Sequence, residues 1–207
     1  MYDTLYGLRM VMNLDDYLER IKFTGSREPT LATLKTLIQC HKHIIPYSNL
    51  HMHGRKERIN LSVEEIYKNV VMNKGGGICY ELASLFIWLA RRLGYHAYCY
   101  QGSFYCAYLP EPVFNDPFSH SLVCVEVDDV RYLVDPGWVM FGPMKLELGT
   151  PYVDDHSVYR LVHADGDHDE TWYHLERHRK TVIDESGNVL KEGPKPAGPL
   201  ENCRHRG

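Results

Sequence analysis

Gly75-Gly76-Gly77-Ile78-Cys79-Tyr80-Glu81-Leu82 opens the stretch whose reading decides the fold. After the glycines, Leu82, Leu85, Phe86, Leu89 and Leu93 recur at helical spacing, and Gly94 is placed to end that helix in the left-handed conformation. Residues 96–108 then turn to aromatic and small side chains and read as a strand. The chain therefore switches from helix to sheet near its middle.

Upstream of that switch the helical pattern holds. Asn13 precedes Leu14, Tyr17, Leu18 and Ile21, a short amphipathic helix that Gly25 and Pro29 interrupt. Thr30 caps a second helix carrying Leu31, Leu34, Leu37 and Ile38, which must end before Pro46. Residues 47–61 read as a loop. Ser62 and Glu65 form a capping box ahead of Ile66, Tyr67, Val70 and Val71. Downstream, residues 121–127 and 130–134 are strand-like runs joined at Asp128-Asp129, a hairpin. Weaker strand signals occupy 159–162 and 171–175, and the run from Gly187 is polar and proline-bearing. The expected class is α+β: a helical domain over 1–94, a β-rich domain over 95–180 and a poorly ordered tail over 181–207.

Bulk properties narrow the function. The chain has 207 residues, 44% of them hydrophobic, and a net charge of -4, which gives no general attraction to nucleic acid or anionic membrane. No window approaches the ~20 apolar residues of a membrane span. The first thirteen residues lack a signal-peptide layout, so a cytoplasmic protein is expected. The run His163-Ala164-Asp165-Gly166-Asp167-His168-Asp169-Glu170 lacks calcium-loop and zinc spacing and reads as a solvated acidic turn, so no metal is expected. Of six cysteines, Cys99, Cys106 and Cys124 lie in strand-like runs and read as buried thiols, and Cys203 as an incidental exposed one.

Cys79 stands apart. At the first turn of a helix a thiol meets the positive end of the helix dipole, which favours thiolate, and the preceding glycines let a substrate approach. The alternative is a tight turn before a buried structural thiol. A thiol nucleophile needs a base, and twelve histidines are available. His41, His43, His51, His53, His156, His163, His168, His174, His178 and His205 read as solvated surface residues, and His96 has no acid placed beside it by local pattern. His120 begins one arm of the Asp128-Asp129 hairpin and Asp135 ends the other, so both sit at its open end, about two residues out of register. A carboxylate on one imidazole nitrogen fixes the tautomer and presents the other to the thiol. The alternative for Asp135 is a polar residue that merely ends its strand before Pro136.

These residues closely resemble the arylamine N-acetyltransferases: Gly76-Gly77-Ile78-Cys79-Tyr80-Glu81-Leu82, then His120, then Tyr132-Leu133-Val134-Asp135-Pro136-Gly137. Residues 14–30, with Phe23-Thr24-Gly25, are similar to the family, as is Ile45-Pro46-Tyr47-Ser48-Asn49-Leu50 against its I-P-F-E-N-L pattern. The resemblance implies a helical bundle, an antiparallel β-barrel-like domain with a papain- or transglutaminase-like cysteine-triad core, and a third, lid domain that is largely missing here. It implies acetyl-CoA as co-substrate, without a metal, and a small aromatic amine, arylhydroxylamine or hydrazine as acceptor. It makes Cys79 the acyl carrier, His120 the base and then acid, and Asp135 its orienting partner. By resemblance Phe104 and Trp138 line the acceptor site; the other reading is ordinary aromatic core.

Two departures stand out. The family carries R-G-G-x-C where this chain has Gly75, and a glutamate where it has Ser48; the two changes are read as linked, because an unpaired buried charge costs more than losing both partners. Rival readings are a thiol hydrolase or transglutaminase-like enzyme and a catalytically impaired binding homologue.

Overall fold

Asn13 starts the first helix, its side chain accepting from the Asp15 N–H at 2.7 Å, and α1 (Leu14–Arg20) buries Tyr17 and Leu18. The computed structural model of the chain describes residues 11–53, 60–106, 113–114, 119–138, 140–154, 157–163, 172–179, 182–183, 189–191 and 201–204. Thr30 caps α2 (Leu31–Ile44) through the Thr33 N–H, and the helix stops two residues before Pro46. A single 3₁₀ turn (Leu50–Met52) interrupts the following loop. Ser62 caps α3 (Val63–Tyr67), which widens into a π turn (Lys68–Met72) that keeps Val70 and Val71 buried with Ile66 and Tyr67. Helix α4 (Cys79–Arg92) begins at Cys79 and ends before Gly94, whose φ of 92° is the left-handed conformation expected of it.

The β half begins with β1 (His96–Cys106) and the short β2 (Val113–Phe114). Next come β3 (His120–Val127) and β4 (Val130–Val134), closed by a two-residue turn in which Asp128 and Asp129 have φ of 51° and 60°. Positive φ at both central residues matches the right-handed twist of the flanking strands. Then follow β5 (Met144–Lys145), β6 (Tyr152–Val153), β7 (Ser157–His163), β8 (Trp172–Arg179), β9 (Val182–Ile183), β10 (Val189–Lys191) and β11 (Glu201–Arg204). The main sheet is antiparallel and ordered β5-β4-β3-β1-β11-β8-β7-β6, with β2 on β1, and β9 and β10 pair separately. No closure of β5 onto β6 is found among the described residues, so they form a large open sheet. Of the stretch beyond 180, only β9, β10 and β11 are described.

Strand alternation divides the core. Val123, Val125 and Val127 of β3 and Ala97 of β1 pack against the helices, beside Leu34, Leu82, Phe86 and Leu89. Leu122 and Cys124, on the opposite face, pack with Tyr100, Leu133, Met140, Met144, Tyr159, Leu161 and Leu175. With both faces covered, β3 is buried nearly throughout, its helix-facing side in one cluster and its opposite side in the other.

The structure corrects several expectations. Cys124 is buried, but Cys99 is exposed, its sulfur 3.2 Å from the Ser121 hydroxyl. The side chain of Cys106 and all of Cys203's fall outside the described side chains. His41 is not a surface residue; its place on the apolar face of α2 buries it fully, with the Tyr17 hydroxyl 2.9 Å from Nδ1. His96 does have an acid partner, because the β1–β3 register sets it opposite Glu126, whose carboxylate is 2.7 Å from Nδ1. The acidic run 163–170 lies outside the described residues except for the backbone of His163.

Candidate active site

Cys79 is the first residue of α4, and the glycine loop before it is pinned from both sides. Tyr47 bridges Gly77 in parallel, the Ser48 N–H donates to the Gly77 carbonyl at 3.0 Å, and the Gly77 N–H donates to the Pro46 carbonyl at 3.3 Å. A Cβ at position 76 would clash with the Pro46 carbonyl oxygen, so the close approach of these segments requires glycine there. Ile78 has no side-chain acceptor, so only half of a capping box forms: the Glu81 carboxylate accepts the Ile78 N–H at 2.9 Å. The other Glu81 oxygen is 2.9 Å from His51 Nε2, which ties the 50–52 turn to the helix start.

His120 and Asp135 meet this helix end from the hairpin. The β3–β4 register runs from Val127↔Val130 to Val123↔Val134. Continued one step, it places Asp135 opposite Leu122, two residues along the same face from His120. Both side chains are fully buried, with His120 Nε2 3.4 Å from Asp135 Oδ2. The other carboxylate oxygen accepts the Gly137 and Trp138 N–H groups, each at 2.9 Å, and Lys42 Nζ donates to the Asp135 carbonyl at 3.0 Å. These contacts fix the turn after β4 and therefore the direction of the carboxylate.

The electrostatics follow from burial and these partners. Burial alone raises the pKa of Asp135, but the His120 charge and hydrogen bond, the Lys42 charge and the Trp138 N–H outweigh it and hold the carboxyl well below its usual range. Burial also pushes the Cys79 thiol up. The hydrogen bond and charge of His120, the Ser121 backbone and the Tyr47 hydroxyl reverse that, and the thiol ends below its ordinary value. The pocket can thus hold a nucleophilic thiolate beside a protonated imidazole, oriented by a carboxylate that stays ionised.

The three residues singled out by sequence are therefore brought together. Trp138 is also nearby, more than half exposed, its ring 5.8 Å from that of Tyr47. Phe104 lies on β1, but its side chain is outside the described ones. Sequence reading missed four contributors. His51 and Lys42 carry no spacing signal, and Tyr47 reads as a loop residue. Arg20, from α1, donates to the carbonyls of Val70, Ile44, Lys74 and Gly75, so a guanidinium supports the glycine loop although position 75 has no arginine. The one available signal was Glu81, an acid three residues after the helix cap. Among the described residues, no group of three or more His, Cys, Asp or Glu side chains forms a metal site. No helix among them is long and apolar enough to cross a membrane.

A family model described as N-acetyltransferase matches residues 30–187. The arylamine N-acetyltransferase liver isozyme of Gallus gallus is 30% identical over 193 residues, covering 89% of this chain and 64% of that one. The arylamine N-acetyltransferase of M. tuberculosis superposes with a TM-score of 0.75 at 25% identity, over 94% of this chain and 66% of that one. The Mycobacterium marinum enzyme in complex with CoA gives 0.71 at 26% identity, over 93% and 65%. The chain thus spans about two thirds of the length of these relatives.

Proposed function

The chain belongs to the arylamine N-acetyltransferase family, and from that premise we propose that it moves an acetyl group from acetyl-CoA to an arylamine, arylhydroxylamine or hydrazine through a thioester on Cys79. The observation that carries this reading is the buried cluster at the start of α4: a thiol of lowered pKa beside His120, whose Nε2 is 3.4 Å from the Asp135 carboxylate. The CoA in the M. marinum complex supports the choice of donor.

In the first half-reaction the Cys79 thiolate attacks the acetyl carbonyl carbon. The carbon–sulfur bond to CoA breaks, and the departing thiolate takes the proton held by the His120 imidazolium. Backbone N–H groups in the first turn of α4 stabilise the oxyanion in between. In the second half-reaction the amine nitrogen attacks the Cys79 thioester, His120 accepts the nitrogen's proton, and Cys79 leaves as the thiolate with which it began. Asp135 keeps its charge throughout and stabilises the imidazolium; it does not take the proton. Kinetics are ping-pong. The Trp138 ring, exposed beside the site, forms one wall for an aromatic acceptor, with Phe104 as the second residue assigned to it.

Intact mass after incubation with acetyl-CoA alone tests the proposal. Wild type gains one acetyl group, Cys79→Ala gains none, and an arylamine discharges the adduct to an N-acetyl product. A folded wild-type protein that never acquires the adduct refutes acyl transfer from CoA.

A further inference from the structure

The segment after Pro46 holds the Gly77–Ile78 peptide, which directly precedes the nucleophile, by both of its edges. The Ser48 N–H donates to the Gly77 carbonyl at 3.0 Å, and the N–H of the same peptide, on Ile78, donates to Glu81 Oε2 at 2.9 Å. Glu81 is buried against this loop: a Cβ on Gly77 would be 3.1 Å from the Glu81 Cβ and 3.2 Å from Oε2. The other Glu81 oxygen is 2.9 Å from His51 Nε2, and because a carboxylate only accepts, the imidazole is the donor. The 3₁₀ turn Leu50–Met52 brings His51 round to that oxygen three residues after Ser48. One short segment thus grips the carbonyl edge directly and the N–H edge through Glu81. Packing alone does not brace the carboxylate, because Glu81 and His51 line a polar cavity of about 270 Å³ with Asn60, Lys68, Asn69 and Asn73. Without His51 the carboxylate has room to turn away from Ile78, and the Lys68 ammonium lines the same cavity to receive it.

We propose that His51 is a positioning residue for acyl transfer: by holding Glu81 it fixes the Gly77–Ile78 peptide, and with it the direction of the Cys79 sulfur and of the first-turn N–H groups that meet the oxyanion. Rotation of that peptide changes ψ of Gly77 and φ of Ile78 together, and Ile78 is bonded directly to Cys79. The first N–H groups of a helix have no partner within it, so their direction depends on what holds the residue before them. The Ile78 side chain cannot do this, and Glu81 does it instead. A glutamate at the third helical position is enough to start the helix. The histidine adds a second bond at right of way to the cavity, so that the carboxylate keeps one orientation while the thioester forms and breaks. A displacement of about 1 Å at a reacting atom costs on the order of 100-fold in rate. Looseness in this peptide is therefore read first in the chemical step, while the helix itself stays folded.

The inference rests on Cys79 carrying the acetyl group, and the test separates the two. Protein is mixed rapidly with acetyl-CoA in the absence of acceptor, quenched, and followed by intact mass to give the rate constant of acetylation and the acetyl-CoA concentration for half-saturation. His51→Leu fills the volume without a donor, and His51→Gln keeps an N–H donor at the same reach; circular dichroism and urea unfolding show that each variant is folded under the assay conditions. His51→Leu should acetylate roughly 10–100-fold more slowly with half-saturation unchanged, and His51→Gln should recover to within about threefold of wild type. Glu81→Ala should slow the step as much as His51→Leu, and the double variant should be no slower than Glu81→Ala. A wild-type rate in folded His51→Leu, a His51→Gln variant as slow as His51→Leu, or strictly multiplicative losses in the double variant each overturn the role of His51 while the adduct on wild type still stands. If His51→Leu does not fold, the rates of His51→Gln and of the Glu81→Ala pair decide by the same criteria. Wild type that acquires no adduct overturns the thioester reading and the role of His51 with it.

Discussion

Replacing His41 by Gln should remove about 2 kcal/mol of the stability that this fold loses between pH 7 and pH 5. His41 is fully buried on α2, hydrogen-bonded at Nδ1 to the Tyr17 hydroxyl and faced edge-on by Phe86 at 5.5 Å; its Nε2 has no partner among the described residues. Burial, then the Lys42 and Arg20 charges, depress its pKa from 6.5 to about 3. The folded protein therefore keeps the imidazole neutral at pH values where the unfolded chain protonates it. Stability from this residue is fully present above pH 6.5 and is lost as the pH falls from 6.5 toward 3, because protons bind the unfolded state preferentially. Each pH unit in that window costs about 1.4 kcal/mol, so the loss between pH 7 and pH 5 is about 2 kcal/mol. Urea unfolding of wild type and His41→Gln at both pH values provides the measurement. The variant loses the Tyr17 hydrogen bond geometry and starts from a lower stability at pH 7, but its decline toward pH 5 should be smaller by about 2 kcal/mol. Equal declines in the two proteins would refute the assignment of a buried, neutral imidazole.

Two further outcomes test the site and its support. Asp135→Asn keeps an oxygen for the Gly137 and Trp138 N–H groups but presents an amide to His120 Nε2, so the chain should fold with near wild-type secondary structure while acetyl transfer falls on the order of 10³–10⁴-fold; a loss below tenfold would show that the carboxylate is not orienting the imidazole. Gly75→Arg places a Cβ 2.7 Å from Asn69 Oδ1 and 2.9 Å from the Asn69 carbonyl, crowding that should cost about 1–3 kcal/mol; adding Ser48→Glu supplies a counter-charge and should recover part of it, and strictly additive unfolding energies would rule out coupling between the two positions.

The fold was legible where local chemistry acts alone. Asn13, Thr30 and Ser62 announce helix starts because each satisfies a backbone N–H with its own oxygen, and all three do so in the structure. The Asp128-Asp129 turn, and with it the β3–β4 register, was likewise readable, since two residues that tolerate positive φ between apolar runs leave few alternatives. What local pattern does not carry is which partner a side chain finds across the fold. His96 looks unpaired until β1 lies against β3, and His41 looks polar until Tyr17 covers it. The π turn at 68–72 is also invisible, because the apolar spacing of Ile66, Tyr67, Val70 and Val71 satisfies a helix of either winding.

The site divides along the same line, and the division explains its construction. Cys79, His120 and Asp135 could be singled out because their positions are tied to termini: one to the start of a helix, the others to the open end of a hairpin. The groups that hold them in place act through backbone atoms of distant segments and leave no spacing behind. Lys42 grips the Asp135 carbonyl from 93 residues away, and Arg20 grips the carbonyls of Lys74 and Gly75 from 54 and 55. A carbonyl is presented by every residue type, so neither contact constrains the residue at its far end, and no motif records it. The support of the Cys79 loop is therefore independent of the side chains it grips: position 75 is glycine, and a guanidinium from α1 holds that loop by its carbonyls.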